Sequence, residues 1–322
     1  MKALYLKERK QPVVYADFDD PQAKEGEVIV EVKAAALNHR DVYITQDLYP
    51  GITTPMILGS DGVGTLDGKE VILNPGEGWK DNPAYAPLNY TILGLPKFGT
   101  FAEKIAINAD RVHEKPAHLS WQEAAALPLA GVTAYRALFT RGQINANKKV
   151  LITGIGGGVA LTALQLAAAV GSEVWVTSGS NEKIEKAMAL GAKGGANYKE
   201  DNWHKDLAGR AGVFDLVIDS AGGDGFAQLL KVCNFGANIV TYGGTRGKVN
   251  GLSPQIIFWK QLNIMGSTMG NDQEFADLLA FVAEKKVKPV IDAVFSLEEG
   301  AKAFERMDQG LQFGKIVLDV NI

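Results

Sequence analysis

Apolar positions follow two different rhythms along this chain. Through the first third they alternate with polar ones over short stretches, as in Glu27-Val28-Ile29-Val30-Glu31-Val32, which predicts strands. Turn-forming pairs, Pro50-Gly51, Asp67-Gly68 and Pro75-Gly76, punctuate this region. Residues 74–98 are rich in Pro, Gly and Asn and read as an irregular surface lobe. Ser120-Trp121-Gln122-Glu123 has the form of a capping box, in which the serine accepts from a backbone N–H and the glutamate reaches back. It predicts a helix that opens the connection into a second domain.

From residue 148 onward, apolar strands alternate with longer helical stretches, the pattern of a parallel sheet wrapped by helices. Strand 150–153 precedes a helix predicted at 157–170, and strand 173–177 precedes one at 181–190. Strands 215–219 and 237–241 complete later units, and 262–266 is a candidate edge strand. The apolar residues of that edge either pair with a second subunit or lie under a loop. After a helix at about 272–286 a strand pattern returns at 314–318, so the tail is expected to fold back onto the first domain. The predicted division is 1–121 with 272–322, and 122–271.

One junction carries chemistry. The strand Lys149-Val150-Leu151-Ile152-Thr153 runs into Gly154-Ile155-Gly156-Gly157-Gly158-Val159-Ala160, and an apolar helix follows at once. A dinucleotide pyrophosphate needs a tight turn, a bare backbone and the positive end of a helix dipole together. Gly154 suits the turn, and Gly156 or Gly157 lets phosphate oxygens reach backbone N–H groups. Ala160 suits close packing of helix on strand, and Gly158 and Val159 complete the expected cofactor loop. A ligand-free glycine turn is the alternative, and the strand-to-helix context weighs against it. Gly243-Gly244 follows the strand 239–242, at the strand end where such sheets bind ligands, with plain turn chemistry as the alternative.

The glycines do not select the cofactor. NAD-selective sites place an acid about 20 residues past them, on the ribose 2′-hydroxyl. Here the second strand ends in Thr177-Ser178-Gly179-Ser180-Asn181, with no acid at its tip. Ser178, Ser180, Lys183 and Tyr198 offer hydroxyls and an ammonium to a 2′-phosphate, which favours NADPH over NADH. Against that stand a simple capping role for Ser180 or Asn181, and Glu182, should it turn inward.

Composition narrows the class. A chain of 322 residues exceeds the size at which a single core keeps growing, so two domains are expected. A net charge of −4, with no basic block, offers no general attraction to nucleic acid or anionic membranes. The N-terminal ten residues break their apolar run with charge, and no segment approaches membrane-spanning length. The single Cys233 excludes an intrachain disulfide and any multi-cysteine zinc site. These features lead to the expectation of a cytoplasmic enzyme with a small-molecule substrate.

Five further segments carry a resemblance. They are Ala36-Leu37-Asn38-His39-Arg40-Asp41-Val42-Tyr43, Ile57-Leu58-Gly59-Ser60-Asp61-Gly62-Val63-Gly64, Leu127-Pro128-Leu129-Ala130-Gly131-Val132-Thr133-Ala134-Tyr135, the glycine loop, and Phe313-Gly314-Lys315-Ile316-Val317-Leu318. In order and spacing the chain resembles the medium-chain dehydrogenases/reductases over its whole length. It is most similar to the zinc-free branch of quinone oxidoreductases and enoyl reductases. The resemblance implies an α/β fold: a Rossmann doubly wound parallel-sheet domain joined to a mostly β, GroES-like catalytic domain, in a homodimer or homotetramer. Zinc-dependent members place a Cys where this chain has Asn38, a His where it has Ser60, and structural-zinc cysteines in the 74–98 lobe. None of these ligands is present here. Catalytic zinc takes three protein ligands, so no metal is expected, although His39, Asp41 and Asp61 remain conceivable recruits.

Without a metal, hydride transfer is most feasible to an acceptor that delocalises the added charge, such as a quinone or an α,β-unsaturated carbonyl. Asn38, standing at the family's ligand position, is expected to donate to a developing oxyanion. Asp41 and Tyr43 join it as catalytic candidates, Tyr43 as a proton donor or pocket wall. Asn38-x-x-Asp41 is equally a helix-capping pattern, the reading favoured for Asp41. By resemblance, Thr133 approaches the nicotinamide; otherwise its hydroxyl bonds back to its own helix. Phe258 and Trp259 form a pocket wall, or else packing or interface residues. His113, His118 and His204 are expected at the surface, and Cys233 in the core. A zinc-independent alcohol or aldehyde oxidoreductase and a non-catalytic NADPH-binding protein remain open beside the reductase.

Overall fold

Strand alternation in the N-terminal region becomes real structure because each strand has a face to bury. In the computed structural model, which describes residues 1–80, 82 and 84–321, the chain divides into two compact units. The first is Met1–Val132 with Gly270–Ile322, and the second is Thr133–Met269.

The first unit opens with β1 (Lys2–Leu6), β2 (Val14–Asp17), β3 (Glu27–Ala36), α1 (His39–Thr45), β4 (Met56–Ile57) and β5 (Asp61–Leu66). It continues through β6 (Lys69–Leu73), β7 (Gly76–Glu77), β8 (Thr91–Ile92), β9 (Lys104–Asn108), β10 (Val112–Glu114), α2 (Trp121–Ala125) and the start of α3 (Pro128–Tyr135). In the second unit follow β11 (Lys149–Ile152), α4 (Gly158–Val170), β12 (Glu173–Ser178), α5 (Asn181–Ala189), β13 (Gly194–Asn197) and α6 (Trp203–Ala211). That unit closes with β14 (Phe214–Asp219), α7 (Phe226–Val232), β15 (Cys233–Thr241), α8 (Pro254–Lys260) and β16 (Asn263–Gly266). The chain then returns to the first unit as α9 (Asp272–Lys285), β17 (Ile291–Ser296), α10 (Gly300–Asp308) and β18 (Lys315–Asp319).

In the first unit the main sheet runs β10-β6-β5-β3-β18-β17, with β9 also on β3. Strand β3 is the hinge of this arrangement. Its first half, 27–31, pairs with β9, and its second half, 31–36, pairs with β5 on one side and β18 on the other; Val30, Val32, Ala34, Ala35 and Ala36 are buried. Small side chains there let the sheet pack closely under the cluster of Leu37, Ile57, Phe101 and Phe304. The register sets Ala36 opposite Asp61 on one side and Val317 on the other. Three chain segments far apart in sequence thus end at one place.

The second unit is a six-stranded sheet in the order β13-β12-β11-β14-β15-β16, parallel at every pair. Its core gathers Leu151, Phe214, Val217, Leu230 and Ile239. The continuous apolar runs of β11 and β14 follow from helices covering both faces of a parallel sheet.

Two sequence expectations change. The domain boundary expected at 121/122 falls after Val132, because α2 buries Ala124 and Ala125 against the first unit's sheet. The Ser120–Glu123 capping box does form, with Glu123 N–H donating to Ser120 Oγ at 3.1 Å. The 74–98 lobe is also more than irregular surface: β7 and β8 pair, and Trp79, 1% exposed, meets Tyr90 edge-on. Asp81 and Pro83 of this lobe lie outside the described residues.

Arg111 ties that lobe to α9. Its guanidinium donates to the Gly76 carbonyl at 2.8 Å and to both carboxylate oxygens of Asp272, with a side chain only 5% exposed. Removing Arg111 leaves the Gly76 carbonyl and the Asp272 carboxylate without this partner, though Asp272 is 28% exposed and partly reached by water. Arg111→Ala is therefore expected to cost about 2 kcal/mol of unfolding free energy, measured by urea denaturation; a loss below about 1 kcal/mol would rule out this role.

Candidate active site

Asn38 leaves β3 in an extended conformation, φ −128°, and caps α1. Its side chain is committed at both ends. The amide nitrogen donates to Asp61 Oδ2 at 2.9 Å, and the amide oxygen accepts from Lys315 Nζ at 2.7 Å. The same ammonium donates to Asp61 Oδ2 and to the Leu37 carbonyl, each at 2.7 Å. Asp61 Oδ1 accepts from the Leu129 N–H at 2.7 Å. Asp61 is 0%, Lys315 3% and Asn38 8% exposed. Buried charges persist when paired and saturated with hydrogen bonds, as this pair is.

Beside this cluster, Arg40 Nη1 donates to Ser60 Oγ and to the Leu93 carbonyl, both at 2.6 Å. The Ser60 hydroxyl donates to the same carbonyl at 2.9 Å. At the positions where zinc-dependent relatives carry ligands, this chain has an amide and a hydroxyl. The neighbouring carboxylate, Asp61, is already bound to an ammonium. This donor set does not suit a catalytic zinc, which draws on Cys, His and free carboxylates. Among the described residues, no group of three or more His, Cys, Asp and Glu side chains comes together.

Asp41 is the catalytic candidate for which the sequence favours the capping reading. It is fully buried and accepts the Asn38 backbone N–H at 2.8 Å, the capping role that its spacing also allowed. Burial pushes its carboxyl up to about 6, against the opposing pull of Arg40 and that backbone bond. Tyr43 is half-buried, its ring 6.4 Å from that of His39. Burial, aided by Lys315, holds the His39 imidazole below its usual range.

The second unit holds the glycine loop. Gly154 and Gly156 adopt φ of +66° and +125°, conformations that side chains resist. Gly157 is the N-cap of α4, and a Cβ there would meet nothing within 4 Å. Gly158 and Val159 form the first turn of α4. The loop is therefore an open cradle of backbone N–H groups at a helix N-terminus, which fits a dinucleotide's phosphates. Lys183 lies against it: a Cβ on Gly156 would stand 3.0 Å from Lys183 Cδ and 3.4 Å from its Nζ.

At the tip of β12, Ser178 is buried and accepts the Ser180 N–H at 3.3 Å. Ser180 caps α5 by accepting the Lys183 N–H at 3.4 Å. A Cβ on Gly179 would lie 2.8 Å from the Tyr198 hydroxyl, and the Arg246 guanidinium stacks 5.7 Å from the Tyr198 ring centre. Glu182 turns outward and pairs with Lys186 at 2.7 Å. Gly243 packs against the Ser220 carbonyl, whereas a Cβ on Gly244 would have open space. Thr133 is buried in α3, with its hydroxyl 3.8 Å from Met269 Sδ.

Other expectations need revision. Phe258 and Trp259 are 64% and 73% exposed on α8. His113, His118 and His204 are half-buried, with His113 packed on Phe275. Cys233 is buried as expected, and burial pushes its thiol up to about 12. Sequence reading missed Lys315 as a partner of Asn38, and Arg246 altogether. Nothing local marks either one. It also missed Asp219, whose carboxylate binds Thr153 Oγ1, the Gly222 N–H and Thr241 Oγ1, joining the ends of three strands.

Asp41 makes a pH signature. Its carboxyl titrates higher folded than unfolded, so its neutral form favours the fold. That contribution is fully present below the ordinary value of 3.8 and is lost as pH rises through about 6. Asp41→Asn keeps an acceptor for the Asn38 N–H without the charge. In urea titrations its stability relative to wild type should be unchanged near pH 4 and higher by on the order of 2 kcal/mol near pH 7.5. A constant difference across that range would show that Asp41 does not titrate this way.

Comparison with known proteins places these two units together in one lineage. Residues 24–117 match the alcohol dehydrogenase GroES-like domain, and residues 158–284 match the zinc-binding dehydrogenase domain. The zinc-type alcohol dehydrogenase-like protein YogA of Leptosphaeria maculans is 38% identical, covering 93% of this chain and 92% of its own. A crystal structure of an NAD-dependent alcohol dehydrogenase superposes with a TM-score of 0.93 at 33% identity, covering 100% of both chains. The quinone oxidoreductase from Thermus thermophilus, also solved with NADPH, superposes with a TM-score of 0.84 at 27% identity over 99% of this chain and 100% of its own. An open glycine cradle on a parallel sheet, a GroES-like unit and these matches lead to one conclusion: the chain belongs to the medium-chain dehydrogenase/reductase superfamily.

Proposed function

We propose that this protein is an NADPH-dependent, zinc-independent reductase of quinones or α,β-unsaturated carbonyls. The observation that carries the reading is the buried Lys315–Asp61–Asn38 cluster at the position where zinc-dependent relatives bind their metal. An ammonium saturated by three oxygens leaves no anionic site for a second cation. A reduced nicotinamide supplies a hydride, and quinones and activated alkenes accept one without a Lewis acid because the added charge spreads through conjugation.

The residues then have distinct work. Asn38 donates a hydrogen bond to the carbonyl oxygen as negative charge gathers on it. Tyr43 is the candidate donor of the proton that completes reduction. Asp41 holds the first turn of α1 and with it the Asn38 backbone. In the second unit, Gly154, Gly156, Gly157, Gly158 and Val159 receive the pyrophosphate, with Lys183 beside them, and Thr133 and Gly244 serve the nicotinamide end. Ser178, Ser180 and Tyr198 serve the 2′-phosphate. The outward pairing of Glu182 with Lys186 removes the carboxylate that would repel that group, and so supports NADPH.

The exposed Phe258 and Trp259 on α8 and Ile264 on the edge strand β16 support a homodimer formed through that edge. A cytoplasmic location fits the lone buried Cys233. A second reading, alcohol or aldehyde oxidation, is favoured by the name of a solved structure that superposes with a TM-score of 0.93, and it predicts a different substrate range.

Fluorescence titration should find NADPH bound at least about tenfold more tightly than NADH, one charge-assisted phosphate contact being worth that much. Equal affinities would remove the case for the phosphorylated cofactor. In a panel of benzoquinone, 2-alkenals, simple ketones and alcohols, turnover is expected with the first two and should survive chelator. Asn38→Ala should lower kcat on them by roughly a hundredfold while leaving NADPH affinity intact. Turnover confined to alcohols and ketones, or lost with chelator, would overturn the reading.

A further inference from the structure

We infer that Lys315 is a positioning residue for the reaction, holding the Asn38 amide in one orientation and strengthening it as a hydrogen-bond donor. The inference rests on the reductase reading, in which Asn38 meets the substrate oxygen. It begins with an accounting of donors and acceptors. The ammonium has three N–H bonds, and three oxygens receive them: Leu37 O, Asn38 Oδ1 and Asp61 Oδ2, each at 2.7 Å. Asp61 Oδ1 takes the Leu129 N–H, and Oδ2 takes both Lys315 and one N–H of Asn38. Within the cluster, only the second N–H of the Asn38 amide has no assigned acceptor.

An asparagine amide left to itself turns over readily, exchanging a donor for an acceptor. Here a flip would set the amide NH2 against an ammonium and the amide oxygen against a carboxylate. Both contacts would become repulsive, inside a site where all three side chains are less than a tenth exposed. Lys315 and Asp61 therefore lock one orientation, and that orientation makes Asn38 a donor. The ammonium also withdraws electron density through the amide oxygen, which makes the remaining N–H more acidic and better matched to an oxyanion. A neutral residue thereby expresses part of the positive charge buried behind it. Lys315 itself need not touch the substrate.

The obvious variant, Lys315→Met, leaves Asp61 buried without its partner and threatens folding. The Lys315→Met/Asp61→Asn double variant removes both charges together, and Asp61→Asn alone isolates the lysine. Three readouts are expected. NADPH should bind the double variant within about twofold of wild type, because the changed residues lie outside the cofactor unit. On the best acceptor, kcat should fall about tenfold or more relative to Asp61→Asn with KM little changed, and adding Asn38→Ala should then cost about tenfold at most, well short of its roughly hundredfold effect in wild type. In the 15N-labelled protein without cofactor or substrate, the Asn38 side-chain amide proton bonded to Asp61 should be exchange-protected and displaced from free-amide values in wild type, and the Asn38 amide resonances should shift toward those of a free amide in the double variant.

Unchanged kcat in the double variant, fully additive loss with Asn38→Ala, or unchanged Asn38 amide resonances would each overturn the inference. The resonance test stands apart from any substrate. A wild-type protein that turned over neither quinones nor activated alkenes would defeat the reductase reading, while locked Asn38 resonances would still uphold the role of Lys315 in orienting that amide.

Discussion

The buried pair of Lys315 and Asp61 is the interaction on which the first unit's functional end depends. It joins β18 to β5 across the tip of β3, linking residues 254 positions apart. Taking two ions out of water costs several kcal/mol each, and only near-complete hydrogen bonding recovers that cost. The five bonds around the pair meet that condition: Lys315 to Leu37, Asn38 and Asp61, Asn38 to Asp61, and Leu129 to Asp61. Such a pair adds little net stability over a well-packed apolar core. What it adds is geometry, since a partly satisfied version would be far worse than none.

The cluster also sets this chain apart from the donor set of a catalytic zinc site. Metal binding requires anionic or neutral soft donors converging on an open point. Here the amide of Asn38 and the hydroxyl of Ser60 stand at two of those points, and the carboxylate beside them faces a cation. Arg40 closes the other side by donating to Ser60 and the Leu93 carbonyl. Under the proposed function, a network of fixed donors stands in place of a Lewis acid, which would narrow the chemistry to acceptors able to spread their own charge. The fold and family do not make that choice. The side chains at the strand ends do.

In the second unit the constraint is different and more local. A strand, four glycines within five residues and a helix start lie in one continuous segment, and the backbone itself supplies the binding groups. Asp219 stiffens this end of the sheet by collecting hydrogen bonds from the ends of β11 and β15 and from the turn after β14. The cradle is held from below by bonds that no ligand needs to touch.

These two sites explain what could be read in advance. The parallel sheet, the helices expected at 157–170 and 181–190 and the glycine cradle were legible because each depends on neighbours in sequence: period, caps and φ preferences. Ser120–Glu123 capped its helix for the same reason. Asn38 drew attention by position, but its spacing to Asp41 carried two meanings, and the structure shows Asp41 in the capping one. The domain boundary slipped because α2 is held by the sheet beneath it, which no local pattern encodes. Lys315 looked like an ordinary strand lysine until the register of β18 against β3 brought its ammonium to Asn38. Short-range order came from the sequence alone; the pairing of charges across distant strands was decided by the tertiary fold, because burial forces each buried charge to find its partner wherever the chain has carried it.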